Sequence, residues 1–148
     1  MSIRTREGDT IKCEVHLRPF ARECLTQVSS MFHVGVFTAS SKEYADAIID
    51  QVIDPAGTLL KFRLYREHCF QTADGIYMKD LRVITSHGLH EVLLVDNSVH
   101  SFGLQLTNGI PIVPYFDDPA DQELVHLSSY VLSLAGQADL RTKNASTF

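Results

Sequence analysis

The sequence predicts an α/β domain with a parallel sheet flanked by helices. Short apolar segments of strand length alternate along the chain with amphipathic segments whose apolar residues recur at helical spacing. Two strand segments, residues 32–37 and 91–95, are almost continuously apolar, as is typical of strands covered on both faces. The chain has 148 residues, of which 45% are hydrophobic and 21% charged, so it can bury a core of ordinary size. Because no repeat and no Pro/Gly/Ser-rich linker divides it, we predict one domain over residues 1–148.

The first half of the chain is predicted to begin with a strand that is buried on one face only. Residues 10–17 alternate apolar and polar side chains, and residues 3–5 can pair with them across the turn at 7–9. The other elements predicted in this half are a helix that starts near Pro19, the buried strand at 32–37, and a helix at 42–53.

The second half is predicted to contain a β-hairpin, short strands and one long helix. Residues 73–75 (Ala-Asp-Gly) form a hairpin-turn sequence between two short strands. Asp118 is the predicted N-cap of the last main helix, which is expected to have Pro119 at its first position and to run to about residue 135. Residues 137–148 form a polar C-terminal tail that is either docked or frayed. The remaining strands are predicted at 60–65, 91–95 and 110–113.

Composition and charge argue against several classes of protein. The 13 basic and 18 acidic residues give a net charge of −5, which disfavours direct binding of nucleic acid by phosphate neutralisation. No apolar run has the length of a membrane span, and no apolar leader follows the first residues, so we expect an intracellular protein without a membrane span. Cys13, Cys24 and Cys69 are odd in number and unrelated in spacing, which indicates reduced thiols rather than disulfides or a zinc site.

Two polar clusters follow buried strands, at residues 38–41 and 96–98. If these strands are neighbours in a parallel sheet, both clusters face one crevice beyond the carboxyl ends of the strands. Asp96 and Asn97 offer oxygen ligands suited to Mg²⁺, while the Thr38 hydroxyl can donate to a phosphate oxygen. With a balancing charge from a lysine such as Lys79, this set of residues suggests phosphoryl transfer. The alternative is that these residues only end strands and cap helices, and the spacing alone favours that alternative.

Four short motifs and several later segments occur in a fixed order. The motifs are residues 37–40 (Phe-Thr-Ala-Ser), 64–69 (Leu-Tyr-Arg-Glu-His-Cys), 77–81 (Tyr-Met-Lys-Asp-Leu) and 95–98 (Val-Asp-Asn-Ser). The later segments are residues 108–112, 116–118, 121–124 and 139–141, followed by Asn144 and Phe148. This ordered set resembles the NLI-interacting-factor-like, or small CTD phosphatase, family of the haloacid dehalogenase superfamily. The resemblance extends from about residue 15 to residue 148.

The resemblance implies a Rossmann-like parallel sheet flanked by helices, with a small β-hairpin insertion. It also implies an Mg²⁺-dependent nuclear or cytoplasmic phosphatase that acts on phosphoserine or phosphothreonine in proteins through an aspartyl-phosphate. On this basis Thr38 is the phosphate-binding hydroxyl, Lys79 holds the phosphoryl group, and Arg66 lies near the active site. Asp96 and Asn97 match the acidic metal-site motif, with Asn97 the direct ligand.

The sequence departs from the family pattern at one motif. The family begins with an apolar strand that ends in Asp-x-Asp-x-Thr, where the first aspartate is the nucleophile and the second is the general acid and base. This chain has no such motif, and its acids before Phe32 are Glu7, Asp9, Glu14 and Glu23. We therefore expect an N-terminally truncated domain of the FCP1-homology type. It would lack the first central strand, the nucleophile and one metal carboxylate, and could bind phosphate without running the covalent mechanism.

Three hypotheses for function remain open from the sequence. The chain is part of an active phosphatase whose nucleophile motif lies upstream, or a pseudophosphatase that binds a phosphoprotein, or a relative of the mitochondrial import translocase subunit that binds presequences. The third hypothesis is weakened by the intact motif at residues 96–98 and by the lack of a transit peptide and a membrane span.

Overall fold

The computed structural model describes all residues 1–148 and confirms the α/β class. The four α-helices are α1 (Ala21–Ser29), α2 (Lys42–Ile48), α3 (Glu123–Ser133) and α4 (Leu140–Thr147). The strands are β1 (Ser2–Arg4), β2 (Thr10–Lys12), β3 (Val34–Phe37), β4 (Leu60–Leu64), β5 (Phe70–Gln71), β6 (Tyr77–Met78), β7 (Leu94–Asp96) and β8 (Gly109–Pro111). No helix combines the length and the apolar character that a membrane span requires.

The chain folds into two compact units. Unit 1 comprises residues 1–67 and 115–132, and unit 2 comprises residues 68–114 and 133–148. Buried apolar side chains in unit 1 are Ile3, Cys24, Ala45, Ile49, Tyr65 and Val131. Those in unit 2 are Leu81, Leu94, Phe102, Ile110, Leu134 and Leu140. The assignment of residues 1–148 to one domain stays a prediction.

Unit 1 contains an antiparallel and a parallel strand pair. The short strands β1 and β2 pair antiparallel, with Ile3 opposite Ile11. Strands β3 and β4 pair parallel, so their carboxyl ends lie at the same edge. Helix α2 crosses back between them and continues as a π-helical turn, Ile49–Ile53. The buried carboxylate of Asp54 then accepts hydrogen bonds from three backbone N–H groups, the last of them that of Leu60, and so fixes where β4 begins.

Unit 2 contains the predicted hairpin and a second parallel pair. The hairpin strands β5 and β6 pair antiparallel, and Gly75 adopts a φ of 83° in the turn between them, a conformation that favours glycine. Strands β7 and β8 pair parallel. The C-terminal tail is docked rather than frayed, because Asn144 of α4 is only 1% exposed. Its side-chain amide donates to the carbonyl oxygens of Thr107 and Gly109, each at 2.8 Å.

The parallel strands form two separate pairs instead of one continuous sheet. Strand β3 is hydrogen-bonded to β4 alone, and β7 to β8 alone. A continuous sheet needs a strand bonded to the second edge of β3 and of β7, and none of the strands in this chain takes either position. The expected lack of the first central strand stays a prediction.

Several element boundaries differ from the sequence prediction; β7, for example, spans Leu94–Asp96 rather than residues 91–95. Two of the differences have clear local reasons. Strand β2 ends at Lys12 rather than at residue 17, because its partner β1 offers only three residues for pairing. Helix α3 begins at Glu123, because the Asp118 carboxylate accepts instead from the N–H of Ala120 at 2.9 Å and forms a separate turn. The carboxylate of Asp121 takes the capping role and accepts from the N–H of Glu123 at 3.2 Å.

Candidate functional site

The residues predicted for the site fall into two groups, one in each unit. Thr38 and Arg66 belong to unit 1, and each follows a strand of the parallel pair β3–β4. Lys79, Asp96 and Asn97 belong to unit 2, where Asp96 ends β7.

The structure brings Thr38 and Arg66 together at the carboxyl edge of β3 and β4. The N–H of Thr38 donates to the carbonyl of Leu64 at 2.9 Å, which extends the strand pairing by one residue. Arg66 is hydrogen-bonded to the turn after β3. Its backbone N–H donates to the carbonyl of Ser40 at 3.1 Å, and its side-chain Nε donates to the carbonyl of Ala39 at 2.7 Å. The Thr38 Oγ1 atom accepts from the N–H of Ser40 at 3.1 Å, which sets the orientation of the threonine side chain.

This edge carries two side chains of types that bind anions. Arg66 is exposed and presents a guanidinium beside the half-buried hydroxyl of Thr38. A guanidinium is always charged and its planar donors match the oxygens of a phosphate group, and a threonine hydroxyl can donate to the same group. The neighbouring strands therefore place one cation and one neutral donor at the same loop junction.

An ion network beside this junction was not foreseen from the sequence. Asp46 on α2 accepts at Oδ2 from the Lys42 Nζ at 2.6 Å. Its Oδ1 accepts from the Tyr65 hydroxyl at 2.6 Å and from the Arg63 guanidinium at 2.7 Å. The spacing of Lys42 and Asp46 at i and i+4 predicts only that pair. Arg63 on β4 and Tyr65 directly after it reach Asp46 only in the folded structure.

The network determines the charge state of Asp46. Partial burial alone would raise the pKa of the Asp46 carboxyl, but the hydrogen bonds from Lys42, Tyr65 and Arg63 outweigh burial and lower it to about 2. Burial and the hydrogen bond to the Asp46 carboxylate raise the pKa of the Tyr65 hydroxyl. At neutral pH Asp46 is thus an anion and Tyr65 a neutral donor.

In unit 2, Lys79 and Asp96 form an ion pair whose side chains have little exposure to solvent. The Lys79 Nζ lies 2.5 Å from the Asp96 Oδ2, and the two side chains are only 12% and 8% exposed. The other Asp96 oxygen accepts from the N–H of Ser98 at 2.8 Å. The backbone holds both residues in place, because the Lys79 N–H donates to Ser101 and the Asp96 carbonyl accepts from Ile112. The positive charge of Lys79 is therefore already compensated within unit 2.

The oxygen donors of unit 2 do not by themselves fit a divalent cation. Both carboxylate oxygens of Asp96 are engaged, one by Lys79 and one by Ser98, and Asn97 is exposed. No group of three or more His, Cys, Asp or Glu side chains that could hold a metal ion occurs in the chain. Magnesium binding stays a prediction.

Asp80 anchors the segment that carries Lys79, a role that the sequence did not reveal. Its carboxylate accepts from the Arg82 guanidinium at 2.6 Å and from the Gln105 amide at 2.9 Å. Gln105 is buried and its carbonyl oxygen accepts from the N–H of Leu81 at 3.0 Å. The hydrogen bond from Arg82 is the main cause that lowers the pKa of Asp80 to about 2.

These pairs make the stability of the protein dependent on pH in the acid range. Asp46 and Asp80 each have a folded pKa of about 2, below the ordinary value of 3.8. The same holds for Asp139, whose carboxylate accepts from the Arg141 guanidinium at 2.8 Å; this hydrogen bond is the main cause that lowers its pKa to about 2. Their stabilisation is complete above about pH 4 and is lost as the pH falls towards 2, because the unfolded chain binds these protons first. Urea unfolding at pH 7, 4, 3 and 2 should show a falling free energy of unfolding below pH 4, with a shallower fall in Asp46→Asn. An equal free energy at pH 7 and pH 2 would contradict this assignment.

The comparisons with known proteins agree with this architecture. The family model described as NLI interacting factor-like phosphatase matches residues 1–141. The CTD small phosphatase-like protein 2 of Dictyostelium discoideum is 44% identical over 124 residues, which are 84% of this chain and 21% of that protein. The CTD nuclear envelope phosphatase 1B of Danio rerio is 39% identical over 129 residues, which are 86% of this chain and 51% of that protein.

A solved structure shows the same fold. The fission yeast RNA polymerase II CTD phosphatase Fcp1, bound to beryllium fluoride, superposes with a TM-score of 0.62 at 20% identity, covering 99% of this chain and 42% of that chain. The present chain thus spans from about a fifth to about half of the lengths of these proteins. With a family model that matches nearly all of its residues, this chain belongs to the NLI interacting factor-like phosphatase family.

Proposed function

We propose that residues 1–148 bind the phosphate of a phosphoserine or phosphothreonine in a protein segment and do not hydrolyse it on their own. The observation that carries this proposal is the junction of β3 and β4, where Arg66 and Thr38 are held within one hydrogen-bonded turn. Binding of phosphate needs only hydrogen-bond donors and a positive charge in the right positions. Hydrolysis by the family mechanism also needs the two aspartates of the Asp-x-Asp-x-Thr motif, which this sequence does not contain.

We assign most of the proposed binding to Arg66 because it lies beside Thr38 at the junction of β3 and β4. Lys79 is paired with Asp96 at 2.5 Å, so its charge is largely neutralised before any ligand arrives. The Arg66 Nε donates to the carbonyl of Ala39 at 2.7 Å, which holds the guanidinium at the same turn as Thr38. Removal of Arg66 should therefore weaken phosphate binding more than removal of a lysine at the surface.

The names of relatives support the ligand class and the compartment. Similar proteins carry names of phosphatases of the RNA polymerase II CTD and of the nuclear envelope. We propose for this chain a phosphorylated protein segment as ligand and an intracellular location, nuclear or cytoplasmic.

Calorimetric titration with phosphoserine and with inorganic phosphate tests the proposal. We expect a dissociation constant on the order of 1 mM for the unaltered protein, weaker binding at higher salt, and at least an approximately tenfold loss in Arg66→Ala. Thr38→Val removes the hydroxyl and keeps the shape of the side chain. This variant should lose less affinity for phosphate than Arg66→Ala does.

The matched control is Lys143→Ala, which removes an exposed positive charge from α4 in unit 2. This variant should bind like the unaltered protein. The proposal is wrong if Arg66→Ala binds phosphate as tightly as the unaltered protein does. It is also wrong if the unaltered protein does not bind phosphate at a concentration of about ten times the expected dissociation constant.

A further inference from the structure

Asp46 connects the two loops that carry the phosphate-binding residues proposed above. Its partner Lys42 is the first residue of α2 and directly follows the turn at residues 38–41 that contains Thr38. Its partner Tyr65 lies between the end of β4 and Arg66. One carboxylate therefore fixes the residue after the first loop and the residue before the second.

The contacts around Asp46 form a tight cluster. The Lys42 Nζ lies 3.4 Å from the Tyr65 hydroxyl and 4.8 Å from the centre of its ring, so it contacts both partners of the network. Tyr65 is only 6% exposed, which makes its position sensitive to any change in the cluster. A displacement of Tyr65 moves Arg66 with it, because the two residues are adjacent in the chain.

We propose that Asp46 is a positioning residue for phosphate binding: it holds the loops after β3 and β4 at the spacing that brings Thr38 and Arg66 onto one phosphate group. This inference rests on the proposed function and adds a residue to it that does not touch the ligand. Its effect passes through Lys42 and Tyr65 rather than through its own charge.

The direction in which Asp46→Asn changes the affinity for phosphate distinguishes a positioning role from a purely electrostatic one. Asp46→Asn removes one negative charge near an anion site, so electrostatics alone would tighten phosphate binding. Loss of positioning would weaken it, since an amide cannot satisfy two cations and the Tyr65 hydroxyl as a carboxylate does. We expect Asp46→Asn to bind phosphate about tenfold more weakly than the unaltered protein.

Asp50→Asn is the matched control. Asp50 lies one helical turn after Asp46, and its side chain is 60% exposed. Its carboxylate pairs with the Arg63 guanidinium at 2.7 Å. The substitution makes the same change in charge without touching Lys42 or Tyr65. Phosphate binding in this variant should be unchanged or slightly tighter.

Tyr65→Phe provides a second variant in case Asp46→Asn does not fold. It removes only the hydroxyl that donates to Asp46 and leaves the net charge and the buried ring in place. Calorimetric titration with inorganic phosphate, on proteins shown by circular dichroism to be folded, should reveal binding about three- to fivefold weaker.

The inference is overturned if Tyr65→Phe and the folded Asp46→Asn bind phosphate as tightly as the unaltered protein, or more tightly. When Arg66→Ala still loses binding in the same series, that failure concerns Asp46 alone and leaves the proposed function standing. When the unaltered protein itself does not bind phosphate, both the proposed function and this inference are wrong.

Discussion

Replacement of Lys79 by alanine should lower the free energy of unfolding by about 3–5 kcal/mol. The change removes the partner of Asp96, whose side chain is 8% exposed and which then keeps a single hydrogen bond, from the N–H of Ser98. An unpaired carboxylate in such surroundings loses its hydration without compensation. Because native domains are stable by only about 5–15 kcal/mol, this variant should be at or near the limit of folding.

Urea unfolding followed by circular dichroism at pH 7 measures this effect. The double variant Lys79→Met with Asp96→Asn should lose much less stability than Lys79→Ala, because it removes both charges together. The control Lys143→Ala, at an exposed position, should stay within about 0.5 kcal/mol of the unaltered protein. A loss below about 1 kcal/mol in Lys79→Ala would show that the pair is not shielded from solvent as described.

Hydrolysis of an aryl phosphate by residues 1–148 should not exceed the rate in buffer, with or without Mg²⁺. The sequence lacks the Asp-x-Asp-x-Thr motif, and loss of a covalent nucleophile can cost on the order of a millionfold in rate. Asp96 is no substitute, because Lys79 and Ser98 hold its two carboxylate oxygens.

Release of nitrophenolate from p-nitrophenyl phosphate provides the measurement. The assay should include Asp96→Ala and Lys143→Ala, so that activity of a contaminant is recognised by its indifference to both substitutions. An activity that Asp96→Ala abolishes and Lys143→Ala retains would mean that Asp96 has taken the nucleophile's place, contrary to this account.

The sequence was informative where a local pattern determines the structure. The apolar run that contains β3 and the i, i+4 spacing of α2 depend on neighbours in the chain, and both elements lie where they were predicted. The predicted cap at Asp118 was wrong because two acids compete for the same role, and Asp121, three residues later, is the one that reaches Glu123. Composition does not decide between such candidates.

The parts that the sequence could not supply depend on residues far apart in the chain. Asp46 binds Arg63 and Tyr65, 17 and 19 residues away, so its network appears only when β4 lies beside α2. The pairing of Lys79 with Asp96, 17 residues apart, likewise follows from folding, and the role of Lys79 in holding a phosphoryl group stays a prediction. The motif at residues 95–98 revealed the family but not this pairing.

A ³¹P NMR spectrum of phosphoserine mixed with residues 1–148 tests the central claim most directly, because one sample reports both binding and hydrolysis. We predict that the phosphoserine resonance shifts or broadens with the unaltered protein and with Lys143→Ala, but not with Arg66→Ala, and that no inorganic phosphate resonance grows over time. A growing inorganic phosphate resonance that depends on the protein would contradict the absence of turnover. A phosphoserine resonance that is unchanged by the unaltered protein would contradict the binding site itself.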